Sequence, residues 1–187
     1  MEDCLIKFIG VPDRENEKKE IWQLLLACDR DFIPPLSQRV SSTQKKWNKE
    51  LRSDFSEGPR EYFDELMGQQ FLILRKNQKL IGFLTFKHHE DSVEVPGCLV
   101  TNYITTLCID PAYRGMGLAE QLYSFMEQKL PKEMEAPCLS LRTWSTNYAQ
   151  LHLLKKRGYV SYKRLLNDRG KGIDTIYFYK IINSHMD

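Results

Sequence analysis

One stretch of the chain, residues 107–119, constrains the possible folds more than any other. Its sequence, LCIDPAYRGMGLA, starts as an apolar strand, turns at two glycines and then begins a helix. The helix is amphipathic, and its apolar face is formed by Leu118, Leu122, Phe125, Met126 and Leu130. The first N–H groups of a helix have no partner within the helix and carry the positive end of its dipole. The stretch therefore predicts a phosphate-binding turn between a strand and a helix.

Two common phosphate-binding loops do not match these residues. A Walker A loop needs Gly-Lys-Ser/Thr, whereas Gly117 is followed by Leu118. A dinucleotide-binding loop needs a third glycine where this chain has Glu120. A Gly-x-Gly pair alone is more often a structural turn, so the surrounding residues have to identify the phosphate compound.

Length and composition predict one globular domain over residues 1–187. The chain is 42% hydrophobic and 28% charged, which is enough apolar material for a sizeable core. A formal net charge of +2 argues against a nucleic-acid partner. The chain has no apolar run of the ~18–20 residues that a membrane span requires, and its acidic start is unlike a signal peptide. We therefore expect a cytoplasmic protein without a membrane partner.

The cysteines and histidines do not form a metal-binding or disulfide pattern. The five cysteines are odd in number and scattered, at Cys4, Cys28, Cys98, Cys108 and Cys138. They include no Cys-x-x-Cys pair, and the four histidines do not stand at ligand spacing with them. The sequence therefore predicts neither a metal site nor a disulfide framework.

Hydrophobic periodicity predicts the element order β α α β β β α β α β β. Predicted strands cover residues 4–9, 71–75, 80–86, 99–109, 138–144, 159–165 and 174–182. Predicted helices cover residues 16–28, 118–130 and 147–157, with a further helix through Trp47, Leu51 and Phe55 and a short helical piece after Pro59. Residues 29–40 contain Pro34-Pro35 and are expected to form a loop. This order is typical of a mostly antiparallel sheet with a parallel step at the glycine turn.

Four short motifs follow one another along the chain. They are the hairpin segment LIGF at 80–83, the apolar lead-in LCIDP at 107–111, the turn RGMGLA at 114–119, and Asn147 followed eleven residues later by Gly158-Tyr159. Together they resemble the GNAT superfamily of N-acetyltransferases, and the resemblance extends from Cys4 to Ile182. It implies an α/β (α+β) fold of the acyl-CoA N-acyltransferase type. Such a fold has a central, mixed, mostly antiparallel twisted sheet of about seven strands flanked by helices.

The resemblance also implies acetyl-CoA, or another acyl-CoA, as the co-substrate of a transferase. In relatives the pyrophosphate lies on the backbone N–H groups of the turn, and the pantetheine arm pairs with the preceding strand. The cofactor-binding residues implied here are Leu107, Cys108, Ile109, Arg114, Gly115, Met116, Gly117, Leu118, Ala119 and Asn147. Arg114 braces the turn, adds charge near the phosphates, or is a surface arginine. Asn147 contacts the pantetheine arm, caps the following helix, or does both.

Two positions depart from the family pattern. Many relatives have a tyrosine at the position of Leu154 that protonates the departing thiolate, and several have a glutamate near Thr105 that acts as general base. Leucine and threonine cannot take these roles directly. The residues nearest the chemistry are then Thr105 and Cys108, which are the candidate catalytic residues. A thiol leaving group with a pKa of ~8.5 and good geometry still allow direct attack by an amine.

These observations lead to two hypotheses about function. The first is an N-acetyltransferase that moves acetyl from acetyl-CoA to a primary amine of an unidentified small molecule or peptide. The second is a catalytically weak acyl-CoA-binding sensor or regulatory module. The loops at 32–38 and 167–172 are expected to shape the acceptor site, where Asp29 and Asp31 either attract a cationic amine or are solvated. The sequence leaves the acyl chain preference and a homodimer open.

Overall fold

A computed structural model describes residues 4–44, 57–90 and 94–182 of the chain. The strands are β1 Leu5–Gly10, β2 Gln70–Lys76, β3 Lys79–Glu90, β4 Thr101–Ile109, β5 Cys138–Trp144, β6 Val160–Leu165 and β7 Thr175–Ile181. The α-helices are α1 Glu15–Cys28, α2 Arg60–Leu66, α3 Leu118–Gln128 and α4 Tyr148–Lys156. Over the described residues the element order is the predicted one. The predicted helix through Trp47, Leu51 and Phe55 lies outside them.

The seven strands form one sheet, in the order β1-β2-β3-β4-β5-β7-β6. β4 and β5 pair in parallel, and the other neighbouring strands pair antiparallel. This confirms the predicted mixed, mostly antiparallel sheet. A parallel step needs a crossover connection, and α3 provides it. The glycine turn belongs to that crossover, so it lies at the end of a central strand.

Turn and cap residues set the boundaries of several elements. Asn77 and Gln78 join β2 to β3, and their positive φ angles of 48° and 66° suit a two-residue hairpin turn. Asn147 caps the start of α4. α3 ends at Gln128, ahead of Pro131. The hairpin and both crossover helices are therefore encoded by local sequence.

The sheet separates two apolar layers. On one face, α3 and α4 cover alternate strand residues such as Leu72 and Leu74. On the other face, α1 and α2 cover the intervening residues, including Phe71 and Ile73. This alternation follows from the two-residue period of side chains along a strand. Each site residue on β4 and β5 can therefore be assigned to the α3–α4 face or to the α1–α2 face.

Some predicted core positions are less buried than expected. Tyr123 is fully buried on α3, whereas Phe125, predicted on the apolar face, is half-buried. Leu130, predicted on the same face, lies beyond the end of α3 and is also half-buried. Each residue turns a helix by about 100°, so a short amphipathic pattern defines the buried face only to within about one position.

Candidate functional site

A cleft opens in the middle of the sheet because β4 and β5 pair over only part of their length. Their register joins Asn102 to Leu139 and ends where Ile104 lies beside Leu141. Both strands continue beyond this point, β4 to Ile109 and β5 to Trp144. The space between them is a cleft of about 400 Å³. Along it, the edge of β4 that faces β5 has no ladder partner among the described residues.

The structure brings most of the predicted site residues to this one cleft. Its walls include Thr105, Leu107, Cys108, Ile109, Arg114, Gly115, Gly117, Leu118, Ala119 and Asn147. Met116 is absent from the walls, and its side chain is 56% exposed outside the cleft. The residues come from one strand, the glycine turn and the first turns of α3 and α4. That they bind an acyl-CoA remains a prediction.

The glycine turn presents bare backbone to one end of the cleft. Gly115 and Gly117 have φ angles of 75° and 74°, which L side chains rarely adopt. A Cβ built on either residue would meet no described atom within 4 Å. Gly117 is also the N-cap of α3, and it offers no side chain to cap the first N–H groups. The positive end of the α3 dipole is therefore accessible to an anion.

Arg114 braces this turn. Its Nε donates a hydrogen bond to the carbonyl oxygen of Ile109 at 3.1 Å, which ties the turn to the end of β4. Its Nη2 lies 2.6 Å from Oδ2 of Asp31 and 3.5 Å from Sγ of Cys28. These contacts favour the bracing interpretation of Arg114 among those that the sequence left open.

The two loop aspartates have partners within the protein. The Asp31 carboxylate pairs with Arg114. The Asp29 carboxylate accepts hydrogen bonds from the backbone N–H and the hydroxyl of Ser37, at 2.6 and 3.0 Å. Both carboxylates therefore help to hold the loop that follows α1, and neither is simply solvated.

Asn147 caps α4 and also lines the cleft. Its Oδ1 accepts a hydrogen bond from the backbone N–H of Gln150 at 3.3 Å, and its Nδ2 donates to Oγ1 of Thr143 at 3.2 Å. The cap interpretation is therefore correct. A contact with the pantetheine arm would be an additional role and stays a prediction.

The two candidate catalytic residues are uncharged groups in the cleft wall. The Thr105 hydroxyl donates to Oε1 of Gln69 and shares a hydrogen bond of 2.6 Å with the Thr85 hydroxyl. Burial, together with contact with the Cys28 thiol, raises the pKa of Cys108 well above its usual value. A thiol that stays protonated is a poor nucleophile, so these surroundings favour a wall position for Cys108.

Leu154 and Tyr123 differ in their position, because only Tyr123 lines the cleft. Leu154 is fully buried in the core beneath α4, while its neighbour Leu153 lines the cleft. Tyr123, on α3, lines the same wall, and its hydroxyl accepts a hydrogen bond from Nε2 of Gln150. Burial raises the pKa of Tyr123, so the hydroxyl stays protonated. The sequence did not indicate Tyr123, because an aromatic residue on an apolar helix face is more often part of the core.

The opposite wall is built from side chains on the α1–α2 face of the sheet. Phe32 and Trp144 contact each other there, with ring centroids 5.9 Å apart, and Arg142 lies beside them. The predicted acceptor loops meet at the same place, because Nη1 of Arg169 donates to the carbonyl oxygen of Ile33 at 2.6 Å. That these loops shape an acceptor site stays a prediction, and no motif in the sequence marks Arg142 or Trp144 as part of the wall.

Two features are absent from the part of the chain that the structure describes. None of its helices combines the length and the apolar character that a bilayer crossing demands. Across residues 4–44, 57–90 and 94–182, no three His, Cys, Asp or Glu side chains come together as ligands for a metal ion.

Comparison with known proteins places this geometry in a family. Residues 40–159 match the sequence profile of the acetyltransferase (GNAT) family. Among solved structures, yncA from Salmonella typhimurium with its cofactor acetyl-CoA is similar at 17% identity, with a TM-score of 0.61 over 98% of this chain and 96% of that one. An N-acetyltransferase from Staphylococcus aureus is similar at 14% identity, with a TM-score of 0.64 over 97% and 99%.

A third similar structure is the ribosomal-protein-S18-alanine N-acetyltransferase from Escherichia coli. It shares 14% identity, with a TM-score of 0.61 over 99% of this chain and 97% of that one. At these identities the structures show a common fold, which extends over nearly all of each chain. The sequence match covers more than half of the present chain, and it coincides with the strand, the turn and both crossover helices that form the cleft. The chain belongs to the acetyltransferase (GNAT) family.

Proposed function

We propose that this chain is a single-domain N-acetyltransferase that transfers an acetyl group from acetyl-CoA to a primary amine of a small molecule or peptide. The observation that carries the proposal is the cleft between β4 and β5, which ends on the bare backbone of the glycine turn. The similar protein from Salmonella typhimurium was solved with acetyl-CoA. The similar protein from Escherichia coli acts on an alanine of ribosomal protein S18, which supports a primary amine as the acceptor.

The cleft has the features that an acyl-CoA needs. The backbone N–H groups from Gly115 to Ala119 would hold the diphosphate at the start of α3. The unpaired edge of β4, from Leu107 to Ile109, would hydrogen-bond the pantetheine amides as an added strand does. Asn147 lies at the facing wall and would contact the same arm. The open space around both glycines leaves room for the phosphates.

The chemistry would proceed by direct transfer. The amine nitrogen attacks the thioester carbonyl carbon, and the oxyanion that forms accepts a hydrogen bond from a backbone N–H within residues 107–109. Collapse of this tetrahedral species breaks the C–S bond, forms the amide and releases coenzyme A as a thiolate. The amine proton passes to water, and the thiolate, whose pKa is ~8.5 as a free thiol, takes up a proton from solvent. Thr105, a hydroxyl residue in the β4 wall of the cleft, would position the reacting groups.

Release of free thiol tests this proposal. Purified protein is incubated with acetyl-CoA and a panel of primary amines, and free coenzyme A is measured with a thiol reagent. The expected result is amine-dependent thiol release that saturates with acetyl-CoA. Tight binding of acetyl-CoA without turnover of any amine would instead favour the acyl-CoA-binding sensor, a hypothesis that the missing tyrosine at Leu154 keeps open. Absence of acetyl-CoA binding would overturn both.

A further inference from the structure

Four of the five cysteines are scattered in the sequence but meet in the fold as two pairs. Cys28, the last residue of α1, lies against Cys108 near the end of β4. Cys98, in the loop before β4, lies against Cys138, the first residue of β5. All four are free thiols. Adjacent thiols can be oxidised to a disulfide, so each pair is a candidate site of oxidation.

The Cys28–Cys108 pair lies in the wall of the cleft. Both side chains line the cleft, and their exposed fractions are only 2% and 1%. The Cys28 thiol lies 3.6 Å from the carbonyl oxygen of Ile109, the residue after Cys108. The same carbonyl accepts a hydrogen bond from Nε of Arg114. The pair is therefore held where β4 enters the glycine turn, and the cleft gives a small molecule access to it.

Arg114 gives this pair a positively charged neighbour. Its Nη2 lies 3.5 Å from Sγ of Cys28. The Asp31 carboxylate, which pairs with the same guanidinium, opposes the effect of Arg114 on Cys28 but acts more weakly. A guanidinium beside a sulfur favours the thiolate, which is the nucleophilic form of cysteine.

The two sulfurs of this pair differ in acidity. A hydrogen bond from Cys108, together with the charge of Arg114, lowers the pKa of Cys28, although burial acts in the opposite direction. Burial and the neighbouring Cys28 raise the pKa of Cys108 well above its usual value. Cys28 is therefore the sulfur that ionises first, while Cys108 keeps its proton. The pair thus combines a nucleophilic thiol with a second thiol that can react after it.

The Cys98–Cys138 pair has different surroundings. Cys138 donates a hydrogen bond to the carbonyl oxygen of Val100 at 3.7 Å. Burial, followed by contact with Cys98, raises the pKa of Cys138 to about 12. Among the described residues, no arginine or lysine forms a hydrogen bond with either sulfur. Cys98 is nevertheless more exposed than Cys28. Access therefore favours oxidation of this pair, whereas charge favours oxidation of the pair in the cleft.

We propose that Cys28 and Cys108 form a peroxide-sensitive modification site, at which oxidation closes a disulfide within the cleft wall. The Cys28 thiolate attacks the O–O bond of a hydroperoxide, which forms a sulfenic acid on Cys28 and releases hydroxide or alkoxide. The Cys108 thiol then attacks the Cys28 sulfur. The S–S bond forms, and the sulfenic oxygen leaves as water with the Cys108 proton. The two sulfurs together lose one electron pair, which the peroxide gains.

This site goes beyond the proposed function, because the acetyl transfer proposed above uses neither thiol. The oxidation can therefore be tested without an acceptor amine and without coenzyme A. A dithiol reductant should reverse it by thiol–disulfide exchange.

Peptide mapping of the oxidised wild-type protein tests the proposal. The reduced protein is treated with hydrogen peroxide at neutral pH, quenched at intervals, alkylated and digested without reduction. Mass spectrometry then quantifies the disulfide-linked peptides. We expect the Cys28–Cys108 peptide to form roughly tenfold faster than the Cys98–Cys138 peptide, because the rate follows the fraction of thiolate. Earlier formation of the Cys98–Cys138 peptide, or no Cys28–Cys108 peptide, would overturn the proposal.

Two single-thiol variants test the order of the steps. In Cys108→Ser, the serine hydroxyl can still donate to Cys28, but the sulfenic acid cannot close to a disulfide. Dimedone, a reagent for sulfenic acids, should therefore label Cys28 in this variant. In Cys28→Ser, Cys108 should stay unlabelled. Labelling of Cys108 without labelling of Cys28 would contradict the assignment of the nucleophile.

The arginine is tested by charge. Arg114→Gln should slow formation of the Cys28–Cys108 disulfide severalfold, and Arg114→Lys should restore part of the rate. Arg75→Gln is the matched control, because Arg75 pairs with Glu20 away from the cleft, and it should leave the rate unchanged. An unchanged rate in Arg114→Gln would refute the role of the cation. Thermal unfolding identifies any variant that does not fold, in which case the wild-type peptide map decides alone.

Discussion

The two walls of the cleft are built in different ways. The α3–α4 wall comes from one continuous segment, and its proposed ligand groups are backbone N–H groups of the glycine turn. The α1–α2 wall comes from side chains far apart in sequence, and the bond between Arg169 and Ile33 alone spans 136 positions. The α3–α4 wall, called the backbone wall below, suits the constant part of the reaction, which is the cofactor. The α1–α2 wall, called the side-chain wall below, suits the part that differs between relatives, which is the acceptor.

The largest expected effect tests the backbone wall. Gly117→Glu places a carboxylate against the proposed diphosphate. At ~4 Å and an effective dielectric constant of ~20, this repulsion costs about 4 kcal/mol, about a thousandfold in Kd. Calorimetry with coenzyme A measures the affinity. Gly97→Glu is the control, because Gly97 has the same φ of 74° and open surroundings in a loop outside the cleft. Equal losses of coenzyme A affinity in both variants would mean that backbone strain, and not repulsion of the phosphate, weakens binding.

A smaller effect, on the stability of the fold, is expected from a substitution in the core beneath the backbone wall. Leu154→Ala removes a fully buried side chain and should lower the free energy of unfolding by about 2–5 kcal/mol. Denaturant unfolding measures this, and Leu166→Ala, at a residue 73% exposed, should change it by less than about 0.5 kcal/mol. The folded variant should keep its acetyl-CoA affinity and most of its turnover. A collapse of turnover at unchanged stability would show that this position takes part in the chemistry.

An ion-pair cluster fastens the backbone wall to the sheet. Glu127 on α3 receives hydrogen bonds from Arg157 and from Lys180, each at 2.8 Å, and its side chain is 5% exposed. Glu127→Gln should cost about 2 kcal/mol at neutral pH, because it weakens hydrogen bonds to a charged group. Glu120→Gln, at the more exposed pair with Lys156, should lower the free energy of unfolding by much less, because exposed ion pairs contribute little to stability. Urea unfolding of both variants makes the comparison.

Because of the Glu127 carboxylate, we also expect the stability of the fold to depend on pH. Burial raises the pKa of Glu127, but hydrogen bonds from Arg157 and Lys180 lower it by more, so it ends below the usual 4.5. The carboxylate therefore stabilises the fold above pH 4.5, and this contribution is lost as the pH falls through the lowered pKa. Wild type and Glu127→Gln should converge in stability on acidification. A difference that stays constant into acid would show that the ion pairs are not its source.

The smallest effect concerns the one ion pair described above that joins the two walls. Asp31 and Arg114 have side chains 47% and 42% exposed, so Asp31→Asn should change stability by less than about 1 kcal/mol. Losing a negative charge beside the turn should strengthen coenzyme A binding about twofold at low salt, and ~1 M salt should abolish the gain. Calorimetry at both salt concentrations measures this. Asp13→Asn, at an exposed loop position before α1, should leave the affinity unchanged.

Local sequence was sufficient for the backbone wall. β5 spans the predicted residues 138–144, and the turn, the α3 start and the Asn147 cap follow from neighbouring residues. These features depend on φ preference, helix ends and apolar spacing, all of which act over a few positions. The start of β4 at Thr101 instead of residue 99 is the small error expected at an element boundary.

Local sequence could not reveal the side-chain wall. Arg39, Arg142 and Arg169 each resemble an ordinary surface arginine, and only the sheet order brings them together. The sequence alone allows Asp29 and Asp31 to attract a cationic amine or to be solvated, whereas in the structure Ser37 and Arg114 bind them. This wall is thus built by long-range side-chain contacts, which no motif in the chain records.

The early end of pairing between β4 and β5 has a consequence beyond ligand binding. A strand with unsatisfied peptide groups normally invites another molecule to add to the sheet and aggregate. Here that edge lies inside the sheet, between two strands that meet at Ile104 and Leu141. A second folded copy cannot reach it, whereas a thin extended chain can. The unpaired edge of β4 can therefore stay available for the proposed pantetheine arm with a lower risk of strand pairing between copies.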